Sequence, residues 1–360
     1  MKRPERKLVL ENGQEFCGIG FGSRENCVGE VIFNTSVVGD QEILSDPSYA
    51  GQIVVMTYPL IGNYGITDED FESRTPAPTG LIVRECCDTP SNFRYTKTLE
   101  EELEDRGIAC VSGVDTRKIT RTIRSCGKMR GAIVDASLSA DDALALIAAT
   151  PDRKDIVAKV SCRKRWFSRT PNHKFNVVAV DCGIKHSTIR LLNERLCNVT
   201  IVPFNTSARD ICAFNPDGIL FTCGPGSPFD VPEVAELIES LKGRYPILGV
   251  GIAHELLALS YGAAVESTPC GLHGDHPMRD LVSGRINIGV FNQTFCIKSI
   301  DGTPLSATHT TVPEGYVVGF ECRRDKILSV QFLPEAAPGP TDNVGIFDRF
   351  IKLMEEDKNA

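Results

Sequence analysis

Fourteen cysteines and six histidines are the side chains of this 360-residue chain best suited to nucleophilic attack, proton transfer or metal binding. The cysteines are scattered: Cys17, Cys27, the adjacent Cys86 and Cys87, then single residues out to Cys322. No C-x-x-C pair occurs, so metal-ligand spacing is absent and no metal site is expected. A secreted disulfide scaffold would be shorter and its cysteines more densely patterned. Reduced thiols packed as small apolar groups are the expectation. Two thiols stand in company that could suit nucleophilic chemistry. Cys223 directly precedes Gly224-Pro225-Gly226, and Cys270 lies near His273 and His276. Either would need a histidine within hydrogen-bond reach to act as a nucleophile. His254, His273, His276 and His309 are otherwise expected to give structural hydrogen bonds. His186 is expected at the surface or at a helix N-terminus.

These residues depend on the elements that carry them. Domains usually run roughly 100–200 residues, so two are expected here. With 42% hydrophobic and 24% charged residues, the chain has the composition of a globular protein. The first ~130 residues read as strand-rich. Asn12-Gly13 is a hairpin signal; Val28 to Asn34 and Ile53 to Thr57 are β-branched runs, and helices are expected near 97–106 and 116–125. Ser139 opens a helix through about Ala149. Residues 151–175 are basic and turn-rich and read as a connection. From 176 strands and helices alternate. Asn176 to Val180, Val199 to Pro203, Gly218 to Thr222 and Ile247 to Val250 are strands; helices follow near 185–196, after Ser207, at 232–242 and at 253–261. Alternation of this kind predicts a parallel sheet covered on both faces, with sites at the carboxyl ends of its strands. The net charge of −8 argues against nucleic-acid binding. The N-terminal Leu8-Val9-Leu10 is too short for a signal peptide, and no run approaches the ~20 apolar residues of a membrane span. A cytoplasmic location is expected.

Three segments fall at strand ends: Cys223-Gly224-Pro225-Gly226-Ser227-Pro228, Gly249-Val250-Gly251-Ile252-Ala253-His254-Glu255, and Gln331-Phe332-Leu333-Pro334-Glu335-Ala336. Together they resemble class I, triad-type glutamine amidotransferases. Pro334-Glu335-Ala336-Ala337-Pro338-Gly339-Pro340 narrows the resemblance to the small subunit of carbamoyl phosphate synthetase. Gly29-Glu30-Val31-Ile32-Phe33-Asn34-Thr35-Ser36, Gln41 through Tyr49, and Asp115-Thr116-Arg117-Lys118 resemble that subunit's N-terminal domain. The resemblance spans nearly the whole chain. It implies an α/β protein with a strand-rich small-subunit domain over 1–150, a linker over 151–175, and a class I glutamine amidotransferase-like domain over 176–360, its sheet mostly parallel and flanked by helices.

The chemistry of that family needs a cysteine at a sharp strand-to-helix turn, a histidine base and an orienting carboxylate. Members read Gly-Ile-Cys-Leu-Gly-His-Gln at the turn and Gly-His-Pro-Glu in the third segment. Here Gly251 holds the nucleophile position and Leu333 the base position; Glu335 alone remains of the triad. Glycine and leucine can neither attack a carbonyl nor move a proton. Gly251 would keep the elbow's shape while shedding strain of roughly 1–2 kcal/mol. The resemblance assigns the glutamine pocket to Ser48, Gly224, Gly226, Ile252, Glu255, Asn292, Thr294 and Phe295. Members carry glutamine where Glu255 stands and glycine where Thr294 stands. An ionised Glu255 at ~4 Å from a substrate carboxylate, with an effective dielectric near 20, would repel it by about 4 kcal/mol, enough to weaken binding by two to three decades. The loop Cys270 to Pro277 is one residue shorter than in members, with Leu272 and Asp275 in place of histidine and asparagine.

Two functions are compatible with this pattern. The chain could be a small subunit that supports carbamoyl phosphate formation by a large subunit fed with ammonia. ATP and metal ions would then belong to the large subunit, and no cofactor to this chain. It could instead be a non-catalytic regulatory or scaffolding paralogue. A thiol relocated to Cys223 or Cys270 is a further alternative. Asp115-Thr116-Arg117-Lys118 is open between a charged interface and an internal salt-bridge motif.

Overall fold

A computed structural model describes residues 3–74 and 77–359. The chain divides into two compact units after Arg153. The first is built on a closed seven-stranded barrel. Its strands, in spatial order, are Glu5–Leu10, Glu15–Gly22, Ala109–Ser112, Gly80–Ile82, Gln52–Met56, Cys27–Asn34 and Met129–Asp135, the last pairing back onto the first. Asn12-Gly13 makes the hairpin that its sequence signals: Gly13 has φ of 82° and donates its N–H to Leu10 O at 2.8 Å. Leu8, Val31, Ile53, Ile82, Val111 and Ile133 fill one core cluster, and closure leaves no free sheet edge. The helix Thr116–Cys126 packs Ile119 and Ile123 into that cluster. Asp115 caps it, accepting the Lys118 N–H at 2.9 Å. Thr98 and Glu101 form a reciprocal capping box on the helix Leu99–Asp105.

The second unit is a ten-stranded sheet. Its parallel part runs Cys197–Pro203, Phe175–Asp181, Gly218–Phe221, Ile247–Val250 and Ile327–Val330 in spatial order. Alternate residues feed different cores, as a sheet covered on both faces requires. Val178, Val180, Ile219 and Phe221 enter one cluster; Val177, Ala179 and Leu220 enter the other. The helix Gly345–Lys358 covers the second cluster with Ile346, Phe347, Phe350 and Met354. Each such side chain stabilises the fold by about 1.5–3 kcal/mol relative to exposure.

Two features differ from the sequence reading. Antiparallel strands widen the parallel part on one side: Val317–Cys322, Ser306–Thr311 and the long pair Val265–Asp280 and Ile286–Ile297. The stretch 151–175 is also more than a linker. Beyond Arg153 it belongs to the second unit. There it forms the short helix Ile156–Val160 and the edge strand Trp166–Ser168, antiparallel to Cys197–Pro203. Its many basic and turn-forming residues mask the few apolar ones, Ile156 and Val157, that anchor it.

Candidate functional site

The strand Ile247–Val250 runs directly into the helix Ile252–Ser260. Gly251 between them has φ 61° and ψ −119°, the strained strand-to-helix turn of a nucleophile elbow. Its N–H donates to Val330 O at 3.0 Å, and its carbonyl accepts the His254 N–H at 2.9 Å. The turn is therefore tied to the neighbouring strand and to the first turn of the helix.

What surrounds the turn is the decisive geometry. A Cβ built on Gly251 would lie 2.4 Å from Cys223 Sγ, 2.8 Å from Gln293 Nε2 and 3.0 Å from Cys223 Cβ. Gln293 Nε2 donates to that same Sγ at 3.4 Å. The space that a nucleophilic side chain would need is thus occupied by two other side chains. Gln293 was not anticipated. The available signal was a run of three polar residues, Asn292, Gln293 and Thr294, between apolar neighbours.

Leu333, at the base position, is 3% exposed and packs in the apolar cluster that also holds Cys223, Val290 and Phe291. Its N–H donates to Val290 O at 2.9 Å. Glu335 is buried two residues on. Lys185 Nζ lies 3.7 Å from its Oε1 and donates to the carbonyls of Ala336 and Ala337 at 2.6 and 2.7 Å. The triad's remaining carboxylate thus sits beside an ammonium group. Such a pair is costly to break, because either partner alone would be a buried charge.

Among the pocket positions, Ile252 is fully buried in the helix's first turn. A Cβ on Gly224 would stand 2.4 Å from Cys182 O, so only glycine fits there. Gly226 has φ of 89°, and a Cβ on it would meet Ile156 Cγ2 at 2.8 Å. Asn292 Oδ1 lies 2.8 Å from His273 Nδ1 and accepts its proton in the Nδ1–H tautomer. Thr294 O accepts the Thr268 hydroxyl at 2.9 Å, and Phe295 meets Phe229 edge-on at 5.8 Å. Ser48 belongs to the first unit, on the helical turn Pro47–Tyr49, with its N–H donating to Asp46 Oδ1 at 2.8 Å.

The charge expected of Glu255 needs correction. The side chain is fully buried, and burial pushes its carboxyl up to about 8. Gln331 Nε2 donates to its Oε1 at 3.1 Å and also to Phe295 O at 2.7 Å. At neutral pH the carboxyl is mostly protonated, so charge repulsion of a substrate is not the obstacle here.

The neighbouring histidines are engaged in structural contacts. Both ring nitrogens of His254 are used, at 3.0 Å to Ser329 Oγ and 3.2 Å to Val317 O, and burial holds it down at about 3. His276 Nε2 lies 3.1 Å from His273 O. His309 Nδ1 lies 2.9 Å from Thr308 Oγ1, and burial lowers it to about 4. Imidazoles this weakly basic are poor general bases near neutral pH. Cys223 is buried beneath the elbow, and Cys270 donates to Gly271 O at 3.7 Å on a sheet strand. His186 begins the helix His186–Glu194. Among the described residues no group of three or more potential ligands gathers around a metal position, and no helix is long and apolar enough to cross a membrane.

Comparison with known proteins finds relatives for both parts of the chain. The profile described as "Carbamoyl-phosphate synthase small chain, CPSase domain" matches residues 8–133, and "Glutamine amidotransferase class-I" matches 178–353. The "Carbamoyl phosphate synthase pyrimidine-specific small chain" of Halalkalibacterium halodurans is 44% identical over 358 residues, 99% of this chain and 98% of the relative. The protein of the same name from Bacillus subtilis is 43% identical over 98% of this chain and 96% of its own length. The "Carbamoyl phosphate synthase small chain" of Bacillus caldolyticus is 42% identical over 98% of this chain and 97% of its own. With both parts matched in order and relatives aligned nearly end to end, the chain belongs to the carbamoyl phosphate synthase small-chain family.

Proposed function

We propose that this small chain has lost glutamine hydrolysis and supports carbamoyl phosphate formation by a large subunit that takes ammonia directly. The observation that carries the reading is the packing around Gly251: Cys223 Sγ and Gln293 Nε2 fill the volume of the missing nucleophile. A simple loss of side chains would leave a hole. Here the hole is filled, and the base position is part of an apolar cluster. ATP and metal ions are assigned to the large subunit.

The test is glutamate release from glutamine by the chain alone and by its complex with the large chain from the same genome. No release above the buffer rate is expected, with carbamoyl phosphate forming from ammonium. Glutamate release abolished by Cys223→Ala or Cys270→Ala would show a relocated thiol site and overturn the proposal. A complex that makes carbamoyl phosphate from neither nitrogen source would instead favour a regulatory paralogue.

A further inference from the structure

The loop after the strand Cys27–Asn34 is pinned where it starts. Asn34 Oδ1 accepts the Ser36 N–H at 2.7 Å, and Asn34 Nδ2 donates to the Tyr49 hydroxyl at 2.8 Å. The short helix Asp40–Ser45 follows the loop, and the strand Gln52–Met56 leads through Tyr58 to the short strand Leu60–Ile61. These segments enclose a pocket that lies wholly within the first unit. None of its lining residues is a glutamine-pocket position. Val38, Met56 and Ile61 contribute apolar wall, and Tyr58 and Tyr64 stand beside them. The polar lining includes Ser36 and Asp40. The pocket measures about 70 Å³. A water needs roughly 10–15 Å³ on this measure, so there is room for about five non-hydrogen atoms.

Its two buried polar groups are incompletely matched. Ser36 is 3% exposed, and its hydroxyl has no hydrogen-bond partner among the described residues. A buried hydroxyl left so is costly. Asp40 is 6% exposed. Its carboxyl accepts the Gly62 N–H at 2.6 Å, the Gln41 N–H at 3.2 Å and a bond from the Tyr64 hydroxyl. Among the described residues no lysine or arginine lies within 4.0 Å of it. Burial raises this carboxyl above its ordinary value, as expected of an acid without a counter-charge. Burial raises Glu42 as well, and the charges of Asp70, Asp40 and Glu72 add to the effect. Arg94 pairs with Asp70 at 3.4 Å and leaves Asp40 without a cation. The pocket therefore combines a negative field with an apolar wall.

We propose that this pocket binds a small primary alkylammonium molecule, with its ammonium on Asp40 and the Ser36 hydroxyl and its short apolar body against Val38, Met56 and Ile61. An ammonium offers three donors and no acceptor, which suits a carboxylate and a hydroxyl with free lone pairs. The faces of Tyr58 and Tyr64 favour a cation over a neutral group. An anionic ligand would be repelled by Asp40, and a neutral alcohol would leave the buried carboxylate unpaired. The inference goes beyond the reading of the elbow and does not depend on it.

Ligand-observed NMR on the full-length chain tests it with four probes: n-butylammonium, 1-butanol, butyrate and ammonium. The butylammonium cation should bind saturably with a Kd of about 1 mM or tighter, and butyrate should show no binding up to about 20 mM. Butanol, which lacks the charge, and ammonium, which lacks the alkyl body, should each bind at least about tenfold more weakly. Asp40→Asn should weaken butylammonium binding at least about tenfold, and Ser36→Ala about threefold or more. Circular dichroism checks that each variant is folded. The Ser36 hydroxyl makes no bond that folding needs, so Ser36→Ala carries the test if Asp40→Asn does not fold. Absence of saturable butylammonium binding, or equal binding of butyrate, would overturn the proposal. So would folded variants that bind within about twofold of wild type. Ammonium or butanol binding as tightly as butylammonium would overturn the assignment to an alkylammonium ligand.

Discussion

Gly251 holds a backbone conformation that a side chain resists for two separate reasons. Its positive φ costs a non-glycine residue about 1–3 kcal/mol, and its Cβ would collide with Cys223 and Gln293. Gly251→Ala should therefore destabilise the chain by about 2–4 kcal/mol in urea unfolding. Part of that loss should return on adding Cys223→Ala, which removes the sulfur 2.4 Å from the new Cβ. Strict additivity of the two changes would contradict the filled-site account. By the same geometry, Gly251→Cys with Leu333→His should give no glutaminase activity, because both new groups enter occupied space; robust turnover would refute it. Glu255 makes a pH prediction. Its folded carboxyl titrates at about 8 against an ordinary value of 4.5, so the folded state binds the proton more tightly than the unfolded chain. Its protonated form is stable at low pH, and stability is lost as pH rises from about 4.5 through about 8. Glu255→Gln should remove that loss, on the order of a few kcal/mol at pH 9 relative to pH 5. Parallel unfolding curves for the two proteins across that range would count against a neutral buried carboxyl.

Elements explain why the elbow stays legible without its chemistry. A strand tied by the Gly251 N–H to Val330 and a helix begun by the Gly251 carbonyl keep the turn in shape. Lys185 performs a similar task at the third segment, joining the start of the helix His186–Glu194 to the carbonyls after Glu335. Lys185→Met should cost about 3–5 kcal/mol, since it would strand Glu335 without its cation. Adding Glu335→Gln should recover a large part of it; no recovery in the double variant would separate the two residues. The helices that the sequence announces are those with side-chain signals: Ser139 accepts the Asp142 N–H, Ser207 accepts the Asp210 N–H, and Pro232 begins its helix. The strand Val265–Asp280 was not legible, because Pro269, Gly271, Gly274 and Pro277 read as turns. Its pairing shifts register between Ser267 and Leu272, which accommodates part of that run. The protonation of Glu255 was not legible, since burial depends on tertiary contacts such as Gln331. Gln293 was missed because its contact with Cys223 joins residues 70 apart in the chain.

At the scale of the whole chain, the family assignment and the filled elbow make different claims. Alignment over 99% of the chain with a small-chain relative concerns descent and fold. Occupied space at Gly251 and an apolar residue at position 333 concern chemistry. The central claim is tested most directly by carbamoyl phosphate synthesis in the complex with the large chain, with glutamine and ammonium assayed side by side. The account predicts product from ammonium and none from glutamine above the nitrogen-free control. Glutamine-dependent product at a rate matching or exceeding that with ammonium would contradict it.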